Sequence, residues 1–184
     1  MREILKLMIV LAIFCAASGF SLSFVKEATK DRIEYNKIKL LVAPAIKAVF
    51  PSYDNDPVLE RKKVKISEEK IVTVFPAKKG GKLIGIGYVE KGSGHGGPVE
   101  VMLGFTPEGK ILGINVVKHN ETPGIGTLAV ESKEFLSQFK GKTLESDIEA
   151  EVQAVSGATE TSNAIKEGVR KGVELFPKIK DKIG

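Results

Sequence analysis

Residues 83–89 read LIGIGYV, and residues 71–75, a little upstream, read IVTVF. Both are short runs of β-branched and aromatic side chains, and Lys79-Gly80-Gly81-Lys82 lies between them. Two extended runs separated by a Gly-Gly pair predict a β-hairpin. A second pair follows, Val99–Phe105 and Ile111–His119, joined by Thr106-Pro107-Glu108-Gly109-Lys110. Proline at the second position and glycine at the fourth fit a type I turn. Between the hairpins, Gly92-Ser93-Gly94-His95-Gly96-Gly97-Pro98 is glycine-rich enough to predict a mobile loop or a backbone that approaches something closely. The fold class is therefore α+β: a compact domain of antiparallel strands with flanking helices.

Toward the C-terminus the period changes from two to about 3.6. Val130–Phe139 predicts a short amphipathic helix with Phe135, Leu136 and Phe139 on its apolar side. Thr161–Phe176 predicts a longer one, because Ile165, Val169, Val173 and Phe176 recur on one face, and Pro177 is expected to end it. Toward the N-terminus, Leu7–Val25 (LMIVLAIFCAASGFSLSFV) carries no charge. As a helix those residues would span about 28 Å, close to the hydrocarbon thickness of a bilayer. Arg2 and Lys6 precede the stretch and place the N-terminus in the cytoplasm, although Lys26, Lys30 and Arg32 follow it. A cleaved signal peptide is the rival, with Ala16-Ala17-Ser18 as small residues behind an apolar core. A lipoprotein site fits poorly, because Cys15 follows Phe14. Glu27–Phe50 reads as helical, with Pro44 expected to kink it or start a second helix and Pro51 to stop it. The expected organisation is a transmembrane anchor at 1–25, a juxtamembrane helical segment and loop at 26–57, and a domain at 58–184.

Composition removes several functions. With one Cys and two His among 184 residues, the chain can build neither a disulfide framework nor a self-sufficient metal cluster. Redox chemistry would need an organic cofactor. Net charge is +5, and the densest basic clusters, Arg61-Lys62-Lys63 with Lys65 and Lys78-Lys79 with Lys82, lack interleaved aromatic residues. They read as solvated turns, with lipid headgroups as the functional alternative, and nucleic acid is not an expected partner.

Two segments carry chemistry. Ser156-Gly157-Ala158-Thr159, followed by Glu160-Thr161-Ser162, stands at the entrance to the last helix, where unpaired N–H groups and the positive dipole end favour a phosphate. Read alone, it is also an ordinary N-cap. His119-Asn120-Glu121-Thr122-Pro123-Gly124-Ile125-Gly126-Thr127-Leu128 leaves the last predicted strand with polar groups at its rim, and alone it is also a plain strand-to-helix connection.

Taken together, an N-terminal anchor, GHGGP, HNETPGIGTL and SGATET in this order resemble the FMN-binding G subunit of the Rnf ion-translocating electron-transport complex. The C subunit of the sodium-translocating NADH:quinone oxidoreductase is its relative. The resemblance implies FMN joined through its phosphate to Thr159, within a motif formed by Ser156, Gly157 and Ala158. It further implies a flavin pocket built from HNETPGIG, with Glu121 and Thr122 as polar contacts and Gly124 and Leu128 beside them. Gln153 departs from the family pattern, which usually has Asp three residues before the Ser. The implied partners are the other subunits of a membrane electron-transport complex, a flavin transferase for maturation, and the membrane. The flavin domain is then expected on the extracytoplasmic side. No catalytic residue and no metal ligand are expected of this chain alone. A cofactor-free anchored binding module remains the alternative from another class, and a hydrolase built on Ser156 with His119 or His95 lacks a GxSxG elbow.

Overall fold

The computed structural model describes every residue except Pro51, Glu69 and Gly184. The chain divides into two compact units, Met1–Ile38 and Lys39–Gly184. The first consists of most of a single helix, α1 (Arg2–Leu41), none of whose residues is buried. At about 1.5 Å per residue its length is roughly 60 Å, about twice what a bilayer core needs. The apolar stretch and the charged stretch after Val25 thus form one uninterrupted helix. Among the described residues this is the one helix long and apolar enough to cross a membrane.

In the second unit α2 (Ala43–Val49) begins with Pro44 in its first turn, where a missing N–H costs nothing. The expected role of Pro51 as a stop lies outside the described residues. A five-stranded antiparallel meander follows, with strands in spatial order β1 (Lys62–Lys65), β2 (Ile71–Lys79), β3 (Lys82–Gly94), β4 (Gly97–Phe105) and β5 (Ile111–Lys118). Gly80 and Gly81 both have positive φ (56° and 76°), as a type I′ hairpin requires. The predicted type I turn is also present, with Gly109 N–H donating to the Thr106 carbonyl at 3.0 Å.

Four sequence expectations need correction. The Lys62–Lys65 cluster is an edge strand paired with β2, and Val64 is its buried residue. Lysines on an edge strand keep its open backbone from pairing with other chains, so the charge that hides the strand also suits its place. Of the two readings of the Gly92–Pro98 segment, close backbone approach holds and the mobile loop does not: β3 and β4 stay paired to Gly94↔Gly97, leaving a turn at His95-Gly96. The helix expected over 130–139 is two helices, α3 (Thr127–Glu131) and α4 (Lys133–Ser137). They part at Ser132, whose side chain caps α4 by accepting the Phe135 N–H at 3.1 Å. A further turn of helix, α5 (Ile148–Glu151), precedes the last helix. Finally Pro177 lies inside α6, which runs Thr159–Ile183, because Phe176 and Ile179 on either side of it remain buried in the core.

Both faces of the sheet are covered. On one, α6 crosses β3 and β4, and Tyr88, Phe105 and Phe176 stack in sequence with ring centroids 5.5 and 4.8 Å apart. The buried Tyr88 hydroxyl donates to the Gly172 carbonyl at 2.8 Å, tying strand to helix through a satisfied polar group. Near the other end of the contact, Gly92 of β3 passes directly beneath α6, and any Cβ there would overlap the Ala164 carbonyl. On the opposite face α2 and Phe50 pack against β3, β4 and β5. The Phe50 ring occupies a slot made by Gly85, Gly87 and Gly104, and a side chain at any of these would meet the ring.

The close seating of α6 makes the strand beneath it intolerant of added bulk. Gly92→Ala should cost about 3 kcal/mol by forcing helix and strand apart, whereas Gly113→Ala, whose new methyl would find Val49 Cα at 3.8 Å, should cost less than about 1 kcal/mol. Chemical denaturation of the detergent-solubilised chain measures both. The Glu167 carboxylate pairs with Lys171 and accepts the Ser93 N–H (both 2.7 Å), which holds its pKa below the usual carboxylate value. The folded state therefore binds this proton less readily than the unfolded state. Its contribution to stability is present above the ordinary Glu pKa and lost as pH falls through the lowered one. Glu167→Gln should flatten the acid limb of a plot of thermal midpoint against pH and leave its shape near neutrality unchanged.

Candidate functional site

Three segments converge at the N-terminal end of α6. They are the β3–β4 turn, the loop from His119 to Gly126, and the Ser156–Thr161 entrance to the helix. The loop leaves β5 with His119 Nδ1 accepting the Glu121 N–H at 3.3 Å, which makes His119 a strand-end residue that fixes the bend. Gly124 then takes positive φ (76°), and its N–H donates to Thr127 Oγ1 at 2.9 Å.

Glu121 is the buried anchor of the arrangement, only 7% exposed. One carboxylate oxygen accepts the Thr161 hydroxyl at 2.8 Å and the other the Gly96 N–H at 3.2 Å. Side chains at Gly94 or Gly126 would collide with this carboxylate, and one at Gly96 with the backbone of Asn120. The glycines of both loops therefore let three backbones close around one acid. Buried carboxylates are costly unless hydrogen-bonded, and this one is bonded at both oxygens. Both of its oxygens are thus engaged within the protein, and the exposed carboxylate on the cleft wall is that of Glu160.

The hydroxyls at the helix entrance divide sharply. Thr161 is 2% exposed and committed to Glu121; Ser162 is 0% exposed, accepts the Val155 N–H at 3.0 Å and donates to the Ala158 carbonyl at 2.9 Å. Thr159 and Ser156 are exposed. The first intrahelical bond runs from Ser162 N–H to Ala158 carbonyl, so Ala158 stands at the N-cap with no side-chain oxygen to offer the helix. The N–H groups of residues 159–161 point outward along the helix axis, where an anion would find them together with the dipole. Gly157 reaches this corner with a φ of 79° and open space where a Cβ would be.

Beside the corner lies an open cleft of about 450 Å³, a size usual for small-molecule sites. Of the residues expected from sequence, Glu121, Thr122, Gly157, Ala158 and Thr159 line it, whereas Ser156, Gly124 and Leu128 do not. Ile125, Gly126, Glu160, Thr161 and His95 complete its wall. The sequence offers no local signal for His95 beyond its glycine neighbours. Its Nδ1 stands 3.2 Å from the Glu160 carboxylate, which brings the β3–β4 turn to the first turn of α6. A phosphate-bearing cofactor with an apolar ring fits this donor set: outward N–H groups and an exposed hydroxyl at one end, and Ile125 and Ala158 as apolar wall. The string Gly92-Ser93-Gly94-His95-Gly96-Gly97 has dinucleotide-fingerprint spacing, but it joins two antiparallel strands and opens no helix, so it is not such a site. Among the described residues no group of acids, His and Cys is placed to hold a metal.

Residues 94–174 match the FMN-binding domain family. The G subunit of an ion-translocating oxidoreductase complex from Cereibacter sphaeroides is 28% identical over 180 residues, which cover 91% of this chain and 82% of that protein. The G subunit of the Na(+)-translocating ferredoxin:NAD(+) oxidoreductase complex from Acetobacterium woodii is 27% identical over 194 residues, covering 95% and 92% of the two chains. Among solved structures, NqrC from Shewanella oneidensis superposes with a TM-score of 0.51 at 28% identity, over 66% of this chain and 68% of that one. The matched segment starts in the β3–β4 turn and ends within α6, so it contains all three converging loops. A segment of this chain thus matches the FMN-binding domain family, and nearly its whole length is similar to G subunits of ion-translocating oxidoreductase complexes.

Proposed function

We propose that this chain is a membrane-anchored electron-carrier subunit, holding FMN covalently through a phosphoester to Thr159 and relaying electrons in an ion-translocating ferredoxin:NAD oxidoreductase complex of the Rnf type. The observation that carries the attachment is the partition of hydroxyls at the start of α6. Thr159 is exposed beside the cleft, whereas Thr161 and Ser162 are buried and bonded internally. When bound, FMN supplies reversible acceptance and donation of electrons. The chain's own residues do the rest. The first-turn N–H groups of α6 hold the phosphate oxygens, and Gly157 lets the backbone approach them. Glu121, fixed by Thr161 and Gly96, sets the shape of the cleft floor, and Ile125 excludes water from one wall. Attachment by the phosphate keeps the cofactor from being lost outside the cell and leaves its ring free to exchange electrons. The other subunits of the complex are the partners, and a flavin transferase matures the chain. A corresponding place in a sodium-translocating NADH:quinone oxidoreductase is the second reading, favoured by the likeness to NqrC.

Intact-protein mass after co-expression with a flavin transferase tests the attachment. The unsubstituted chain and Thr161→Ala should each gain one FMN, and Thr159→Ala should gain none and lose all denaturation-resistant flavin fluorescence. Covalent flavin on Thr159→Ala would refute the assignment. We further propose that α1 is retained as a single-pass anchor with the N-terminus in the cytoplasm and the flavin domain on the extracytoplasmic side. A periplasm-dependent reporter fused after Lys26 should then be active, and a cytoplasm-dependent reporter fused at the same point should be silent.

A further inference from the structure

The segment that leads into Thr159 is short of regular structure but held at several points. Asp147 caps α5 by accepting the Glu149 and Ala150 N–H groups, each at 3.1 Å. The mostly buried Lys166 amine of α6 donates to the Glu149 carbonyl at 3.1 Å, and Val152 is buried in the core. Ser162 then takes the Val155 N–H and the Ala158 carbonyl. Lys142 pairs with Glu151, and a further restraint comes from the end of α4. Gln138, at the C-terminal end of α4, reaches across to Gln153 with both ends of its amide. Its Oε1 accepts the Gln153 N–H at 2.9 Å, and its Nε2 donates to the Gln153 carbonyl at 3.2 Å. One side chain thus imitates a neighbouring strand for a single residue. The Gln153 side chain, freed of that task, is exposed.

The base from which Gln138 reaches is rigid. Phe135 and Phe139 on either side are fully buried and pack edge to face with centroids 5.4 Å apart, and the Ser132 side chain caps the helix that leads into them. The two-point amide contact therefore transfers the position of a core element to the backbone six residues before Thr159. Two bonds to the backbone of one residue fix its orientation as well as its place, which a single bond would not do.

We propose that Gln138 is a positioning residue for the attachment of flavin at Thr159, presenting the 153–159 segment in the shape that the modifying enzyme must meet; this rests on the covalent attachment proposed for Thr159. In that step Thr159 Oγ forms a bond to the phosphorus on the FMN side of a flavin dinucleotide's pyrophosphate. The bond from that phosphorus to the bridging oxygen breaks, a nucleoside monophosphate leaves, and the hydroxyl proton passes to a base of the transferase. No electrons change hands. Such in-line displacement depends on how the attacking oxygen is aimed, so a backbone that wanders slows it without altering the nucleophile.

The test follows the rate of FMN addition by mass, using unmodified full-length chain in detergent with a flavin transferase and flavin adenine dinucleotide. Gln138→Leu, which keeps bulk and removes both bonds, should slow addition at least tenfold with no change in the KM for the dinucleotide. Gln138→Glu keeps the acceptor half of the contact and should restore an intermediate rate. Ile179→Val, far along α6 from Thr159, lowers stability without touching the segment and should modify at the normal rate. Wild-type rates in Gln138→Leu would overturn the proposal. So would equal slowing in Gln138→Leu and Ile179→Val, which would make the effect one of stability alone. Thr159→Ala run in parallel separates the two levels. If it accepts flavin, or if the unsubstituted chain does not, the attachment reading fails and this proposal falls with it. If both behave as expected, only the role of Gln138 is being decided.

Discussion

The seating of α6 on strands β3 and β4 is the contact on which the rest of the site depends. The helix cannot slide, because the strand beneath it has no side chain at Gly92 and offers Tyr88 to the Gly172 carbonyl further along. With the helix axis fixed, its N-terminus falls where the β3–β4 turn and the loop after β5 meet. Everything polar in the cleft is then measured from that end. Thr161 finds Glu121, Ser162 folds the approaching chain back on itself, and Thr159 is left facing outward. Burying helix on sheet supplies the stability, and its by-product is a helix end with donors aimed at solvent.

How much of this is legible in the sequence depends on whether the signal is local. Strands β2 to β5 show themselves by β-branched runs and by turn residues whose positive φ or proline ring admits few alternatives. The Lys62–Lys65 strand does not, because an edge strand needs one buried residue and is safest when the others are charged. Pro177 misleads for a related reason: a proline costs a helix one bond, and burying Ile179 in the core offsets that loss. The glycines between residues 92 and 98 are half legible. Their count signals close approach, but what they approach, Ala164 in one case and Glu121 in another, lies dozens of residues away. The Glu121–Thr161 and Gln138–Gln153 contacts leave no trace in local pattern, since each joins groups unremarkable in their own neighbourhoods. The motif marks out a short run of hydroxyls, and only the fold separates the exposed Thr159 from its two buried neighbours.

The site also shows how a loop region acquires rigidity without regular structure. Between residues 147 and 159 the chain forms one turn of helix, yet an N-cap, a buried amine, a side-chain amide and a serine hydroxyl each fix it in turn. Each is an individually modest hydrogen bond, and together they leave little conformational entropy to be lost when a second macromolecule binds. A segment of this kind combines the accessibility of a loop with the definition of an element.

On the far face of the sheet, the Phe50 ring in its glycine slot joins α2 to the strands by apolar contact. That join responds to solution conditions as the main apolar core does and as the surface ion pairs do not. Salt that screens the surface ion pairs leaves it intact, and pH does not titrate it. Cooling weakens it, as it weakens any contact that rests on hydrophobic burial. The segment that follows the long N-terminal helix is thus secured twice, by this apolar seat and by the polar contacts of Asn55 and Glu60 with β2, and only the second kind includes a contact that ionic conditions can disturb.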